Sequence, residues 1–405
     1  MNKDHIEYRK RFADINYRQI YVSGFAAKMF GTKQTGEKIK EFVPLDNKYT
    51  SFGNENVLDI YCTGRYAYLV TNHNIYCVII HNHNNGQTHK LLLPEEITLT
   101  ESLYVTKIIC GKEHTVILLN DGRIMSYGLG YYGELGLGAD MRREFNPKLI
   151  NVGNFDGPIV DIVCGDLFTS VLTDRNSVYI VGKILIDNSH MRNDTIVYNW
   201  QKICVDSNET IILVDKYAKY NYEKLCVHKI AATTDQLIFF TYDKTIYITN
   251  SKMKPFSNQP LFLKINETHN VADLIRIYLK LCNKNIASII SDSRYHKYLT
   301  DKYPSDKPIK HVWSGDNSVA INVDDDIYLW EPYADHGCHH IMLSTILQKY
   351  SEYYINVQNK YDWCSIVING KYKRLTDQNY FVSNLYESIF GSNHTLSDIL
   401  FINKS

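Results

Sequence analysis

The chain has no net charge: across its 405 residues, 44 Lys and Arg are offset by 44 Asp and Glu. Neither end is strongly basic, which argues against a protein that lives on nucleic acid. Residues 1–18 are charged and lack an apolar core, so they do not read as a signal peptide. No apolar run approaches the length that spans a bilayer. The nine cysteines are odd in number and lack paired spacing, which suits free thiols in a reducing compartment. The Asn-x-Ser/Thr sites at Asn193, Asn208, Asn266 and Asn393 are then accidents of an Asn-rich composition. These absences predict a soluble intracellular protein, cytoplasmic or nuclear, with no membrane partner.

What is present is a strand-rich unit at residues 105–138, VTKIICGKEHTVILLNDGRIMSYGLGYYGELGLG. Three apolar runs are separated by a Cys-Gly turn and by Asn120-Asp121-Gly122, and a glycine-spaced loop follows. Asn-Asp-Gly between apolar runs predicts a hairpin, because the turn needs a positive φ that Gly supplies at least cost. One hairpin cannot bury both of its faces, so the unit needs neighbours like itself.

Anchoring the pattern on Gly111 finds those neighbours. Gly165 follows IVDIVC and precedes TSVLTDRNSVYIVG; Gly64 follows VLDIYCT; Gly315 follows IKHVWS. Weaker copies centre on Thr233, Asn283 and Asn359. Near the C-terminus, Gly391 and His394 repeat the Gly-x-x-His spacing of Gly111 and His114 and then stop where the next strand should begin. The N-terminal RQIYVSG supplies that strand. The first and last segments are therefore expected to share one sheet, which would remove the exposed edges of an open array.

On these residues the sequence resembles the regulator-of-chromosome-condensation repeat family. Cys110-Gly111-x-x-His114, Asp121-Gly122, Tyr127-Gly128 and Gly133-Glu134-Leu135-Gly136 carry the likeness, supported by Cys164-Gly165, Val181-Gly182 and Gly391-x-x-His394 with Ser23-Gly24. The resemblance implies an all-β fold: a seven-bladed β-propeller of mostly antiparallel four-stranded sheets, with N- and C-terminal strands sharing a blade. Eight anchors compete for seven blades, so one anchor is surplus or two blades are trimmed. The expected organisation is a polar lead-in at 1–17 and one propeller over 18–405, with an insertion near 186–226. Units are expected at 51–104, 105–150, 155–185, 227–252, 260–300, 308–334 and 341–376. Residues 270–284 could instead form a helix, since Leu274, Ile277, Tyr278 and Leu281 have helical spacing.

Candidate chemistry dissolves on inspection. Asp335-His336-Gly337-Cys338-His339-His340 crowds metal-ligand types into six residues, yet structural zinc sites draw spaced pairs from two segments; it reads as a surface loop. His81, His83 and His89 have no partner set. His114 and His394 recur in register, which suits strands tied by hydrogen bonds better than a reaction centre. Cys62, Cys110 and Cys164 read as small buried apolar groups with no cationic neighbour to activate them. The glycines between Gly128 and Gly138 suggest a phosphate loop, but such a loop opens a helix, and here Asn146-Pro147 and a strand follow. No Ser-His-Asp, paired-carboxylate or Walker-type set is found, and no metal or cofactor is expected.

Surfaces are left. Propellers present blade-end loops on one face, where weak contacts add. In the resembled family, the short turn between the Gly and His positions lies on a partner-binding face. The matching positions are Arg65-Tyr66, Lys112-Glu113, Asp166-Leu167, Asp316-Asn317 and Ser392-Asn393. Candidate partner residues are therefore Arg65, Lys112, Glu113, Asp166, Asp316, Asn317 and Asn393, on a repeat frame of Gly64, Gly111, His114, Asp121, Gly122, Gly128, Gly165, Gly315, Gly391 and His394. The expected function is protein–protein interaction by a monomer without bond-making chemistry. The alternative is guanine-nucleotide exchange on a Ran-like small GTPase, with 186–226 as the wedge. A regulatory propeller cut from a larger ligase or kinase is disfavoured.

Overall fold

The computed structural model describes residues 18–24, 39–44, 51–52, 55–62, 66–79, 88–184, 195–205, 211–215, 222–232, 237–242, 246–249, 262–265, 309–314, 319–323, 326–330, 338–341, 350–360, 363–372 and 398–404. Among them nearly every ordered element is a strand. Five sheets follow one another along the chain, each an antiparallel meander. Blade I contains Asp59–Cys62, Tyr66–Val70, Ile75–Ile79 and Thr88–Lys90. Blade II contains Val105–Cys110, His114–Leu119, Ile124–Leu129 and Arg143–Leu149. Blade III contains Ile159–Cys164, Phe168–Thr173, Val178–Ile184 and Thr195–Val205, with Ile211–Val214 added outside. Blade IV contains Val227–Ala232, Leu237–Thr241, Ile246–Thr249 and Phe262–Ile265; blade V contains Ile309–Ser314, Val319–Val323, Asp326–Trp330 and Cys338–Ile341.

The first strand of each blade touches the first strand of the next, from blade I through blade V and on to Tyr350–Lys360. Sheets that meet in sequence along their first strands stand side by side about an axis, the arrangement of a β-propeller. Burial follows from this. His114–Leu119 and Phe168–Thr173, second strands flanked by neighbouring blades, are buried at every position. The outer strand Arg143–Leu149 is mostly exposed. Apolar runs without alternation are what a strand covered on both faces requires. The core accordingly lies between sheets: Tyr68, Val70 and Ile75 of blade I meet Ile108, Ile117 and Met125 of blade II. Val116, Leu118 and Ile124 meet Ile162, Val171 and Tyr179 of blade III.

Besides a two-stranded ribbon of Ser51–Phe52 and Glu55–Asn56, a further sheet joins the chain ends. Arg18–Gly24 pairs antiparallel with Asp398–Lys404, with Ile20 opposite Ile402, and Trp363–Tyr372 lies parallel on the other side of Asp398–Lys404. The shared terminal sheet was expected. Its composition also explains the surplus anchor, because the unit at 341–376 and the closing segment belong to one sheet. Two further boundaries move. Phe262–Ile265, expected to open the unit at 260–300, is the fourth strand of blade IV; the rest of that unit, and the helix alternative at 270–284, lie outside the described residues. Thr195–Val205, expected inside the 186–226 insertion, is the fourth strand of blade III, and Ile211–Val214 extends the same sheet. Lead-in residues 1–17 are also outside the described set.

Two local devices recur. Each first strand of blades II to V skips one residue in its pairing, at Thr106, Val160, His228 and Lys310. Such bulges bend and twist a strand, here where the blades approach each other. The second device is the hairpin tip. In blade II, Leu119 N donates to Arg123 O at 2.9 Å around Asn120-Asp121-Gly122, and Gly122 has φ +85°. In blade III, Thr173 N donates to Ser177 O at 2.9 Å, and Asn176 takes the left-handed position at φ 61°. Asn stands where Gly does because it tolerates that region better than other side chains.

Candidate partner-binding face

The turns between first and second strands are built the same way in blades II and III. Gly111 N donates to His114 O at 2.8 Å, and Gly165 N to Phe168 O at 3.0 Å. In each the aromatic ring three residues on lies against the glycine. A Cβ on Gly111 would stand 1.8 Å from His114 Cε1, and one on Gly165 would stand 2.1 Å from Phe168 Cε1. The repeat therefore needs a flat ring over a glycine, which His or Phe can provide. Opposite each ring sits a second glycine, Gly128 or Gly182, with φ of +112° or +110°. These let the third strand run so close that Leu129 N reaches Glu113 O at 2.8 Å and Lys183 N reaches Leu167 O at 2.7 Å. Both turns are thus held at both ends.

They are also joined to each other. Lys112 N donates to Asp166 O at 3.0 Å, across the boundary between blades II and III. The two turns form one continuous rim, with Lys112 and Glu113 exposed and Asp166 and Leu167 half-buried. Lys112, Glu113 and Asp166 are thus brought together. Arg65, Asp316, Asn317 and Asn393, with Gly64, Gly315, Gly391 and His394, lie outside the described residues.

Chain direction puts the glycine loop 130–138 at the same end, and much of its backbone is hydrogen-bonded within the protein. Three consecutive carbonyls each accept from a different side chain: Glu134 O from Thr169 Oγ1 at 2.7 Å, Leu135 O from Ser126 Oγ at 2.6 Å, and Gly136 O from Trp200 Nε1 at 3.1 Å. Its N–H groups turn inward as well: Tyr132 N donates to Glu134 Oε2 at 2.7 Å, Gly133 N to Gly130 O at 3.1 Å and Gly136 N to Gly133 O at 2.8 Å. A phosphate cradle needs free, convergent N–H groups, so the loop is a structural clamp between blades. Burial raises the Glu134 carboxyl above its usual range, partly offset by the backbone donors at Glu134 and Tyr132.

His114 ties blades, where a tie between neighbouring strands was expected: its Nε2 lies 3.0 Å from Thr169 Oγ1 of blade III. Thr169 gives its single hydroxyl proton to Glu134 O, so it accepts from His114 and the Nε2 tautomer carries the proton. At the boundary of blades I and II, Tyr127 donates to Tyr68 Oη at 2.9 Å, and Tyr68 Oη lies 2.9 Å from Thr115 Oγ1. Cys110 Sγ is 3.2 Å from Thr115 Oγ1. Burial, with Cys110 alongside, pushes the Cys77 thiol up to about 12, and burial lifts Cys204 to about 11. Thiols so raised are inert. Cys110 and Cys164 are buried as expected; nothing is described of the Cys62 side chain.

Sequence reasoning missed the ion pair between Lys107 Nζ and Asp161 Oδ1, 2.7 Å apart on the first strands of blades II and III. Repeat alignment would have found it, since both residues follow the recurring bulge. Among the described residues no cluster of three metal-ligand types is present. Of the Asp335–His340 cluster, Cys338, His339 and His340 lie in the outer strand of blade V, where they pair with Trp330, Leu329 and Tyr328.

The family model described as "Regulator of chromosome condensation (RCC1) repeat" matches residues 121–172, and a second model of the same description matches 105–134. Residues 105–172 are thus similar to RCC1-type repeats, in divergent form. The matched stretch holds blade II and the first two strands of blade III, with both ring-over-glycine turns. The chain is 37% identical over 98 residues to the human probable E3 ubiquitin-protein ligase HERC6, covering 24% of this chain and 9% of that protein. It is 38% identical over 79 residues to the human X-linked retinitis pigmentosa GTPase regulator, covering 19% of this chain and 8% of that one. The matches thus span under a tenth of either relative's length. Prp20p of Saccharomyces cerevisiae superposes with a TM-score of 0.44 at 11% identity, over 87% of this chain and 92% of that one.

Proposed function

We propose that this propeller binds a protein partner on the face carrying the Gly-x-x-His turns and performs no bond-making reaction. The rim made by Lys112-Glu113 and Asp166-Leu167 carries this reading: two turns from adjacent blades are fixed to each other by the Lys112 N to Asp166 O hydrogen bond. The exposed Lys112 and Glu113 side chains, beside the half-buried Asp166, stand on a backbone that needs no reordering on binding, which lowers the entropic cost of association. Tyr131 lies exposed at the same end, and Lys183 Nζ sits 5.2 Å from the Tyr132 ring centroid. A mixed-charge rim with aromatic groups suits a protein surface better than a polyanion. The free thiols of Cys77, Cys110, Cys164, Cys204 and Cys226 support residence in a reducing compartment, cytoplasmic or nuclear. Arg65, Asp316, Asn317 and Asn393 extend the proposed face by repeat position. The test is affinity capture with the wild-type chain and a Lys112→Glu/Asp166→Lys variant. Loss of the captured protein with unchanged melting supports the face, and equal capture rejects it.

The second reading, nucleotide exchange on a Ran-like GTPase, is favoured by the likeness to a protein named as a GTPase regulator. Exchange needs a wedge and no reacting group. The expected wedge is narrowed, since Thr195–Val205 is locked into blade III. Accelerated nucleotide release from the organism's own Ran-like GTPase at micromolar propeller would establish it, and unchanged release would remove it.

A further inference from the structure

The first strands of neighbouring blades meet in chain order, and each brings the same position to the boundary, the residue just after the skipped one. That residue is Lys107 in blade II, Asp161 in blade III, Lys229 in blade IV and His311 in blade V. In the sheet shared by the chain ends, Ser351 is skipped and Glu352 follows. In blade I the place belongs to Asp59, three residues before Cys62 as Lys107 is before Cys110 and Asp161 before Cys164. From blade I to blade IV the signs therefore alternate: Asp59, Lys107, Asp161, Lys229. The positions on either side are apolar and buried, with Val105 and Ile108, Ile159 and Ile162, and Val227 and Ile230.

One boundary shows how the position works. Lys107 Nζ lies 2.7 Å from Asp161 Oδ1 of the next blade, with both side chains half-buried. Asp161 Oδ1 also accepts Ile162 N at 2.8 Å, which fixes the carboxylate on its own strand. Asp59 is held the same way, its Oδ1 accepting Ile60 N at 3.0 Å, and its Oδ2 takes the Tyr61 hydroxyl proton at 3.0 Å. Charges placed here cost desolvation: burial lowers the Lys229 ammonium below its ordinary value. Half-buried ion pairs add little stability, and their best-attested use is to specify which partner an element accepts. Blades I to IV are meanders of one design, so apolar burial alone does not say which first strand stands beside which. We propose that Asp59, Lys107, Asp161 and Lys229 form one alternating ladder, in which each inner charge is held by both neighbours and a blade is accepted only beside one of opposite sign. The ladder belongs to the assembly of the propeller and is independent of any partner on the turn-bearing face.

The experiment is chemical denaturation of the full chain, with Lys229→Met and Asp59→Asn each placed in two backgrounds: the wild type and the exchanged pair Lys107→Asp/Asp161→Lys. The exchange keeps opposite signs between blades II and III, but it sets a carboxylate beside Asp59 and an ammonium beside Lys229. The effect of each neutral substitution on the folding equilibrium constant should differ between backgrounds by about twofold to fivefold, favouring the neutral residue in the exchanged chain. Added salt should shrink that difference. Effects that are the same in both backgrounds overturn the ladder and leave Lys107 and Asp161 as one isolated pair. Where the exchanged chain fails to fold, the double-mutant cycle of Lys107→Met with Asp59→Asn decides. Losses that sum to more than the double variant's loss support the ladder, and strictly additive losses overturn it.

Discussion

His114 and Thr169 are 55 residues apart in sequence and 3.0 Å apart in space, and through Glu134 O they fasten three segments of two blades with one hydroxyl. His114 does two separable things. Its ring fills the space over Gly111, and its Nε2–H reaches Thr169. Phe168 does only the first in blade III. His114→Phe should therefore cost about 1 kcal/mol, the net worth of a hydrogen bond, while His114→Ala should cost about 3 kcal/mol by opening a cavity. Chemical denaturation of both variants measures the difference, and equal losses would show that the two roles are not separable.

Gly111→Ala and Gly165→Ala should be among the most damaging single-methyl changes in the chain, because the added carbon overlaps a buried ring. Displacing the ring costs about 1–3 kcal/mol or more by overpacking. Gly153→Ala is the control: its nearest neighbour to a new Cβ is Asn151 Oδ1 at 3.1 Å, an exposed side chain that can turn away. Melting curves that fail to separate the control from the other two would contradict the ring-over-glycine account.

Asn176 holds a left-handed conformation for which Gly is better suited. Asn176→Gly should be neutral or slightly stabilising, and Asn176→Val should destabilise by about 1–2 kcal/mol, the cost of forcing a side-chain-bearing residue into that region. Asn176 O also accepts Val227 N at 3.0 Å, so the Val variant should loosen the start of blade IV. Amide exchange at Val227 reads this directly.

Asp156 and Glu134 predict opposite responses to pH. Burial acts to raise the Asp156 pKa, but the bonds from Lys202, Ser177 and Thr173 outweigh it and hold the carboxyl below its ordinary value. Its stabilisation is therefore full above the ordinary aspartate range and is lost as pH falls through the depressed value. Glu134 is raised instead, so its ionisation is disfavoured in the fold and works against stability once pH climbs above the ordinary glutamate range. Asp156→Asn should lower the melting temperature at neutral pH and flatten the loss on acidification. Glu134→Gln keeps an acceptor for Tyr132 N and removes the buried charge. It should raise the melting temperature at neutral pH, with the gain vanishing where Glu134 is itself protonated. A Glu134→Gln gain that persists in acid would mean that charge is not its source.

The strand order of blade II, the first three strands of blade III, the hairpin tip at Asn120-Asp121-Gly122 and the sharing of one sheet by the two chain ends were all legible in the residues. Each depends on local chemistry: apolar runs long enough for a strand, a glycine where φ must be positive, and a missing strand at one end matched by a spare at the other. The role of Phe168 was hidden because the eye follows the His, while the backbone responds only to a ring of suitable shape. The fourth strand Thr195–Val205 was hidden because its bulge breaks the alternation that marks a strand. Phe262–Ile265 could be given to its blade only by its pairing with Ile246–Thr249.

By itself the order of residues determined that this is a repeated β architecture whose second unit is the clearest and whose third repeats its Cys-Gly turn, since turn geometry and strand burial are set within a few residues of each position. It did not determine which turns meet, which carbonyls of the glycine loop receive Thr169 and Trp200, or that this loop lies against Tyr198. Those relationships join residues in different units, and their energies exist only once neighbouring sheets stand at contact distance. Tertiary structure alone therefore made a rim out of Lys112 and Asp166.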